Sequence, residues 1–457
     1  MTDLSHLIDT KTGRQSKKIF TDPDLYELEM ERIYARCWLF LAHESQLPEP
    51  GDFIRTFMGE DEVLVIRQDD GSINAFLNFC PHRGNRVCKA DKGNQRQFSC
   101  AYHGWSFGTN GDLIGLPLEE SAYYNELNKQ KFGLIPVTQV DNYKGLIFGC
   151  FDEDAPSLSD YLGEMKWYID VWLDAMPGGS ELLGNTQKVT IDANWKLPIE
   201  NVAGDGYHLG WAHAGAMTVS TSHGVSGLSV GNTDVDIAGG VSVAGLNGHS
   251  VLASLDGEIG SGYGFYPDAQ PALDYLEQNR ATAIEQLGEF RGKKLWGSQI
   301  NFTIYPNLQF LPGLNWFRVY HPKGPGRYEQ WTWAMAEKAM PESLKQQIIE
   351  NQARTFGPAG LFDNDDGDNL EAITELGRGW RTRQADVYAN MALGREHTRP
   401  DMPGIITDGL VCEQNQRWMY RRWLDLMQAQ SWAEVPDYQA EQAALRDQQP
   451  SAQQGAG

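Results

Sequence analysis

The chain has 457 residues, 41% hydrophobic and 22% charged, the balance of an ordinary soluble globular protein with room for two or three domains or one large α+β unit. Its 38 basic and 61 acidic residues leave a net charge of −23, which disfavours sequence-independent binding to nucleic acid or to an anionic membrane. No apolar run could span a bilayer, the N-terminus lacks the apolar core of a signal peptide, and six scattered cysteines are too few for a secreted disulfide framework, so a cytoplasmic enzyme is expected.

Residues 1–20 are polar and read as an arm. From Thr21, TDPDLYELEMERIYARCW reads as a helix, with Pro23 near its first position and Leu25, Leu28, Ile33 and Trp38 along one side. After Glu49, Pro50 and Gly51 the texture turns to strands. DEVLVIRQ and SINAFLNF flank the turn Asp69-Asp70-Gly71, GWSFGTNGDLIGL carries Asn110-Gly111, and LIFGCF adds a short buried strand, so a small β domain is expected over roughly 40–155. Residues 157–187 read as helical, and NTQKVTIDANWK returns to a strand. The stretch 215–265 is rich in Gly and Ser without a sustained period and reads as a loop, in functional terms a mobile lid over a pocket. SQINFTIYPNLQFL and GRYEQWTWAMAE alternate as sheet strands do, and PESLKQQIIENQARTF reads as a helix opened by Pro341 and closed by Gly357-Pro358. The tail from about Val435 is expected to be loosely ordered, and there is no internal repeat.

Two clusters of residues carry chemistry. Cys80-Pro81-His82 and Cys100-Ala101-Tyr102-His103 give Cys-x-His and Cys-x-x-His separated by seventeen residues. Each half can deliver one thiolate and one imidazole from a loop between strands. Zinc could accept such an S₂N₂ set. A [2Fe–2S] cluster is the sharper alternative, with both cysteines on one iron and both histidines on the other, because neutral imidazole leaves the cluster less negative and raises its potential. The spacing favours the cluster, since zinc modules usually pair cysteine with cysteine and histidine with histidine. Gly84, Gly93 and Gly104 would let backbone N–H groups approach bridging sulfides. CPHRG followed by CxYHGW resembles the Rieske domain of the large subunit of aromatic-ring-hydroxylating dioxygenases. Cys88, without a partner histidine, reads as structural.

The second cluster lies in NWKLPIENVAGDGYHLGWAH, which places Asp205, His208 and His213 within nine positions. By itself this reads equally as a metal site or as a buried helix whose histidines satisfy hydrogen bonds. Following the Rieske motif, it resembles the mononuclear iron segment of the same family, whose histidine ligands match His208 and His213. The family's third ligand is a distant aspartate. FGPAGLFDNDDGDN resembles that segment and puts Asp366 at the ligand position, with its neighbour Asp365 as the alternative, where the bland reading is a solvated acidic loop or a calcium loop. A 2-His-1-carboxylate face leaves positions open for dioxygen. Five residues between the histidines is not one helical face, and Gly210 is expected to absorb the mismatch by loosening the helix. Asp205 is expected to accept a hydrogen bond from the His208 ring. The resemblance further implies that Asp205 bridges His208 to a Rieske histidine of a neighbouring subunit, whose counterpart here is His103.

The likeness spans the first helix to about residue 430 and is nearest the naphthalene and polycyclic-hydrocarbon branch. Val202 departs from it where an aromatic residue is common, and Asp363 where Glu is frequent. Matching the family, Asn201, Val202, Gly206, Leu209, Asn301, Phe356 and Phe362 should line the pocket, and their apolar or small character suits an uncharged aromatic ring. Arg83, Arg86, Lys89, Lys92 and Arg96, opposed only by Asp91, form a basic group around the cluster loops that could receive an acidic electron-transfer protein.

The reading is thus an α+β chain: an N-terminal arm and helix packing with the catalytic domain (1–39), an all-β Rieske domain (40–155), an α+β catalytic domain built on an antiparallel sheet (156–435) and a loosely ordered tail (436–457). The resemblance implies one [2Fe–2S] cluster and one mononuclear Fe(II) per chain, O₂, and NADH electrons arriving through a reductase and a ferredoxin. It also implies at least a homotrimer, with a small β subunit in an α₃β₃ hexamer. The runner-up is a Rieske monooxygenase or demethylase acting on an aromatic acid. A zinc-stabilised binding module would leave the second cluster unexplained, and a pure electron carrier would need only the first domain.

Overall fold

The computed structural model describes residues 3–216, 239–255, 263 and 265–447. The chain divides into two units, one running from Tyr34 to Leu158 and the other combining the residues up to Ile33 with those from Ser159 onward. Among the described residues no helix is long and apolar enough to cross a membrane.

The N-terminal residues are not an arm. Leu4, Leu7, Ile8, Ile19 and Phe20 are buried, and Ile8–Asp9 pairs with Arg14–Ser16, which pairs in turn with Asp386–Tyr388 in a small sheet. The sequence hides this because the partner strand is some 370 residues away. Helix α1 (Pro23–Glu29) follows, capped by Asp22, whose carboxylate accepts the N–H groups of Asp24 and Leu25.

The Tyr34–Leu158 unit is all-β. Its strands are β1 (Leu39–His43), β2 (Asp52–Met58), β3 (Asp61–Arg67), β4 (Ile73–Leu77), β5 (Lys92–Asn94), β6 (Gln97–Ser99), β7 (Ser106–Gly108), β8 (Leu113–Gly115), β9 (Gln139–Tyr143) and β10 (Leu146–Cys150). They form a four-stranded sheet in the order β4-β3-β2-β5 and two three-stranded sheets, β8-β7-β6 and β9-β10-β1. Both expected hairpins are present, turning at Gly71 and Gly111 with φ of 85° and 84°. Phe53, Leu64, Phe76, Phe98, Trp105 and Phe107 make the core, which Cys80, Cys88 and Cys100 join.

The larger unit is built on one eight-stranded antiparallel sheet. Its elements in order are α2 (Met165–Leu173), β11 (Ser180–Ile191), α3 (Lys196–Gly204), α4 (Leu209–Ala212), β12 (Gly240–Ala244), β13 (Ser250–Ser254), α5 (Gln270–Leu287), β14 (Ile300–Ile304), β15 (Leu308–Leu311), β16 (Trp316–Pro322), β17 (Tyr328–Glu337), α6 (Glu342–Phe356), α7 (Asp363–Gly377), β18 (Ile405–Asp408), α8 (Gln414–Gln428) and α9 (Gln439–Asp447). The sheet order is β11-β17-β16-β15-β14-β13-β12-β18. Helix α3 lies against β13 and β14, and α8 against β12 and α3. The α+β class expected from the sequence is the one observed.

Two further expectations are corrected. The Gly- and Ser-rich stretch contains β12 and β13, whose nine residues from Gly240 to Ala253 within the strands are buried. Small side chains let the chain after β18 approach this end of the sheet closely; a Cβ on Gly240 would meet the Leu410 side chain at 2.3 Å. The expected lid otherwise falls on residues 217–238, 256–262 and 264, outside the described residues. The tail opens with a helix, α9, and its end, residues 448–457, where looseness is expected, lies outside the described residues. Tyr438 packs edge-on against Trp418, Leu445 joins the same cluster, and Arg421 forks onto Glu441 at 3.0 and 2.8 Å. One apolar stripe and one ion pair suffice to dock a short helix on α8, although its composition is polar.

Candidate metal centres

In the β unit, Cys80 and His82 lie on the loop after β4, and Cys100 and His103 on the loop joining β6 to β7. The two loops are built alike. The Cys80 carbonyl accepts the Gly84 N–H and the Cys100 carbonyl the Gly104 N–H, each at 2.8 Å. Both glycines have positive φ, 75° and 74°, a conformation that glycine adopts without strain. Both thiols are buried, while His103 is exposed and its ring centroid stands 4.4 Å from that of His82. His82 stacks on Trp105, 4.9 Å between centroids and 6° from parallel, and its Nδ1 is buried without a hydrogen-bond partner. Burial works against either thiolate, but backbone N–H groups of Tyr102 and His103 and the neighbouring Cys80 overcome it at Cys100, whose pKa is lowered; burial leaves that of Cys80 raised.

The spread of these donors separates the two metal readings. Among the described residues, one set of three His, Cys, Asp or Glu donors lies within 4.8 Å, and it is not in this unit. Around a single zinc ion every pair of S and N donors would be about 3.4–3.8 Å apart. A two-metal cluster instead spaces a cysteine pair from a histidine pair, and the orphaned His82 Nδ1 beside two buried thiols fits that group. Cys88 stands in the core with its backbone held by Asn78, which accepts its N–H at 2.9 Å and donates to its carbonyl at 2.7 Å.

The basic group around these loops is smaller than the sequence suggests. Arg86 is paired with Glu62 at 2.6 Å and Arg96 with Asp69, while Asp91 is taken by Arg55 from β2. Sequence spacing sets Asp91 against its neighbours; sheet pairing gives it to another strand.

The set of three donors is His208, His213 and Asp366, in the larger unit. His208 Nε2 lies 3.2 Å from His213 Nε2 and 3.4 Å from Asp366 Oδ1, and His213 Nε2 lies 3.5 Å from the same oxygen. Metal–ligand bonds of about 2.1 Å at right angles place neighbouring donors about 3.0 Å apart, so a triangle of this size can cap one face of a six-coordinate ion. Gly210 does not loosen a helix to achieve it. Residues 209–212 form a single turn, α4, with His208 at its N-terminal cap and His213 at its C-terminal cap, so the five-residue step brings both rings to one side.

Outer groups orient both rings. His208 Nδ1 reaches the Asp205 backbone carbonyl, while the Asp205 carboxylate accepts the His208 backbone N–H at 3.1 Å and stands 3.7 Å from the ring. The expected ring hydrogen bond to Asp205 is therefore made by its backbone. His213 Nδ1 faces Asp365 Oδ2 at 3.5 Å. With each Nδ1 directed at an acceptor, Nε2 is left as the metal-facing lone pair. Burial alone would depress His208, but hydrogen bonds and charges from Asp205 and Asp366 outweigh it and push its pKa up to about 10. Burial dominates at His213 and lowers it. Burial would raise Asp366, yet the two histidines and Arg318 hold it below the usual carboxylate range. Asp366 lies in the first turn of α7, where a carboxylate is favoured by the helix dipole.

An aromatic wall adjoins the triangle. Phe362 meets the His213 ring edge-on at 5.2 Å and stacks on Phe356 at 5.3 Å. Leu209, Phe356 and Phe265 pack with Phe362 and Ala216, and Val202 with Leu311, Leu314 and Trp316. The Asn301 amide reaches the Val202 carbonyl at 3.5 Å. Asn201 is half-buried on α3, its carbonyl accepting the Asp205 N–H at 3.0 Å. Gly206 faces Leu410 rather than the wall: a Cβ there would fall 2.3 Å from the Leu410 carbonyl oxygen. Phe265, Trp316 and the buried Arg318 escaped the sequence reading, and Asp365, there the alternative to Asp366 as ligand, stands instead against the His213 ring. Arg318 is consumed by Asp363, 45 residues away, at 2.6 Å.

A two-metal Cys₂His₂ site and a 2-His-1-carboxylate triangle on one chain define an iron–sulfur oxygenase. Comparison with known proteins agrees. Residues 37–139 match the Rieske [2Fe-2S] domain and residues 158–429 the ring hydroxylating alpha subunit (catalytic domain). The chain is 40% identical over 429 residues to the large oxygenase component of a naphthalene 1,2-dioxygenase system from Pseudomonas aeruginosa, covering 93% of each. It is 39% identical over 448 residues to the biphenyl 2,3-dioxygenase subunit alpha of Rhodococcus jostii, covering 94% of this chain and 92% of that one. Its fold matches a naphthalene 1,2-dioxygenase variant bound to phenanthrene with a TM-score of 0.87 and 36% identity, over 94% and 95% of the two chains. The chain belongs to the ring-hydroxylating alpha-subunit family, with a Rieske [2Fe–2S] domain and a catalytic domain that binds a mononuclear iron.

Proposed function

We propose that this chain is the large subunit of a multicomponent dioxygenase that adds both atoms of O₂ to adjacent carbons of an uncharged, polycyclic aromatic hydrocarbon, giving a cis-dihydrodiol. The observation that carries the substrate class is the stacked Phe356–Phe362 wall set against the His213 ring, with the buried Arg318 beside it already bound by Asp363. An aromatic acid, the substrate of the monooxygenase alternative, would need a cation free to hold its carboxylate. The relatives named for naphthalene and biphenyl dioxygenases support the dioxygenase reading.

In this reading His208, His213 and Asp366 hold the mononuclear iron, and Cys80, Cys100, His82 and His103 hold the cluster. When bound, the iron offers open positions at which O₂ is activated, and the cluster delivers electrons singly. The protein's own part is to fix both imidazoles through Asp205 and Asp365, keep Asp366 ionised, and present a ring face along the phenylalanine wall. Asp205 bridges His208 to His103 of a neighbouring copy, which requires an oligomer, at least a homotrimer, with a small β subunit completing an α₃β₃ hexamer. Exposed Tyr207 (57%) and Trp211 (68%) flank the Asp205–His213 segment, and exposed Tyr102 (61%) flanks His103; aromatic side chains of this size are commonly covered by a partner. NADH electrons arrive through a reductase and a ferredoxin in the cytoplasm. The exposed Lys89 and Lys92 are the docking cations, so their charge reversal slows reduction and flattens its salt dependence.

The test begins with anaerobically purified protein. About three irons and two sulfides per chain, with a reduced signal of low average g, are expected. Incubation with naphthalene or phenanthrene under ¹⁸O₂, with the electron donors supplied, should give a cis-dihydrodiol carrying two labelled oxygens. A singly hydroxylated product, or a colourless zinc protein free of sulfide when loss of the cluster has been excluded, would overturn the assignment.

A further inference from the structure

Arg318, on β16, is 5% exposed, and its bonding partners come from three other elements. Nη2 donates to both oxygens of Asp363 at 2.7 and 2.6 Å and to the Phe356 carbonyl at 3.1 Å. Nε donates to Thr332 Oγ1 on β17 at 3.0 Å, and Gln330, also on β17, supplies Asp363 with another donor at 3.1 Å. The guanidinium lies over the Trp316 ring, 4.6 Å from its centroid.

These partners sit at a junction. Phe356 is the last residue of α6, and Asp363 is the first of α7. The two wall residues, Phe356 and Phe362, are therefore the one whose carbonyl Arg318 binds and the one just before the carboxylate it binds. Asp366 follows Asp363 by three positions, on the same side of the first turn. No side chain caps the start of α7, and Asp363, Asp365 and Asp366 crowd that turn, so the guanidinium is what offsets their repulsion and ties the turn to the sheet.

Resting on the proposed function, we propose that Arg318 is a positioning residue that holds the aromatic wall and the metal-binding turn in register, and so decides which ring carbons face the metal. A buried ion pair adds little stability over an apolar pair of the same volume. Its planar fork, by contrast, sets angles as well as distances, and a lysine ammonium in its place is a single point charge. Small shifts of wall against metal are enough to change which ring position is presented.

The test uses the complete oxygenase carrying Arg318→Lys or Asp363→Asn, or both, with the visible Rieske spectrum as the control for folding. Two quantities are read: the ratio of regioisomeric dihydrodiols from phenanthrene, and the rate at which a ferrous chelator strips the mononuclear iron. Arg318→Lys is expected to shift the product ratio by about tenfold, and Asp363→Asn to release iron about tenfold faster. The double variant should be no worse than the more damaging single one, because both act through one link. Arg318→Lys with the wild-type product ratio and wild-type iron release overturns the proposal, and it decides alone if Asp363→Asn fails to fold. If the wild-type protein oxygenates no aromatic hydrocarbon, the functional assignment falls; the iron-release rates of the variants then decide this inference by themselves.

Discussion

Glu29→Gln tests how the N-terminal helix holds the helix that leads into the metal site. Glu29 is fully enclosed, and its carboxylate accepts Lys196 Nζ at 2.6 Å and the indole N–H groups of Trp195 and Trp423, each at 2.7 Å. Lys196, 1% exposed, is the first residue of α3, whose far end presents Asp205. Glutamine keeps the shape and one acceptor oxygen but removes the charge. The ammonium is then enclosed by Phe20, Trp195 and Trp423 at 5.1–6.0 Å with no anion in contact. Removing one partner of a buried pair costs about 3–5 kcal/mol. Lys196 recovers part of this by giving up its proton, since burial already lowers its pKa. In hydrogen exchange, protection of the α3 amides should fall by roughly two to four orders of magnitude. Glu29→Leu combined with Lys196→Met should restore most of it, because an apolar pair leaves no charge stranded. Exchange in the Glu29→Gln protein as slow as in wild type would refute the reasoning.

Asp366→Ala should keep the visible Rieske spectrum and both cluster irons while losing the third, about one iron of three per chain by analysis; retention of all the iron would contradict the triangle. In chelator-treated protein, His208 has its pKa raised from 6.5 to about 10. Its stabilising contribution is therefore complete below pH 6.5 and is lost as pH rises through about 10. Ferrous binding needs the neutral ring, so affinity should rise up to about tenfold per pH unit between 7 and 9, and a flat profile in metal titrations would count against it. Gly206→Ala drives a Cβ to within 2.3 Å of the Leu410 carbonyl oxygen, which should cost about 1–3 kcal/mol by forcing a backbone shift. Turnover should fall with iron content unchanged, read by metal analysis beside product formation.

Much of the site was legible because its chemistry demands particular residue types at short spacing. Cys80 with His82, Cys100 with His103, and His208 with His213 are each separated by no more than five positions, and each pair is placed by a single loop or turn. Asp366 was legible only through its likeness to a family segment; nothing in the residues themselves links it to His213, 153 positions earlier. The sheet was read where side chains were large and alternated, as in β14, β15 and β17. It was missed where the strands β12 and β13 are made, apart from Leu252, of Gly, Ser, Ala and Val, since small residues buried on both faces leave no period. The docking of α9 was missed for a related reason: one tyrosine, one leucine and an ion pair with Arg421 leave a composition that is mostly polar.

By itself, then, the sequence determined the kinds of ligand, their local pairing and the α+β order of elements, because loops and single turns are governed by neighbouring residues. Tertiary structure alone decided which basic residues near the cluster are already neutralised. It also decided that Arg318 is paired with Asp363, and that the N-terminal residues form strands paired with Asp386–Tyr388. Each of these is a pairing between residues tens to hundreds of positions apart. Such pairings are selected by the burial of charge and the register of the sheet, neither of which has a local signature in the chain.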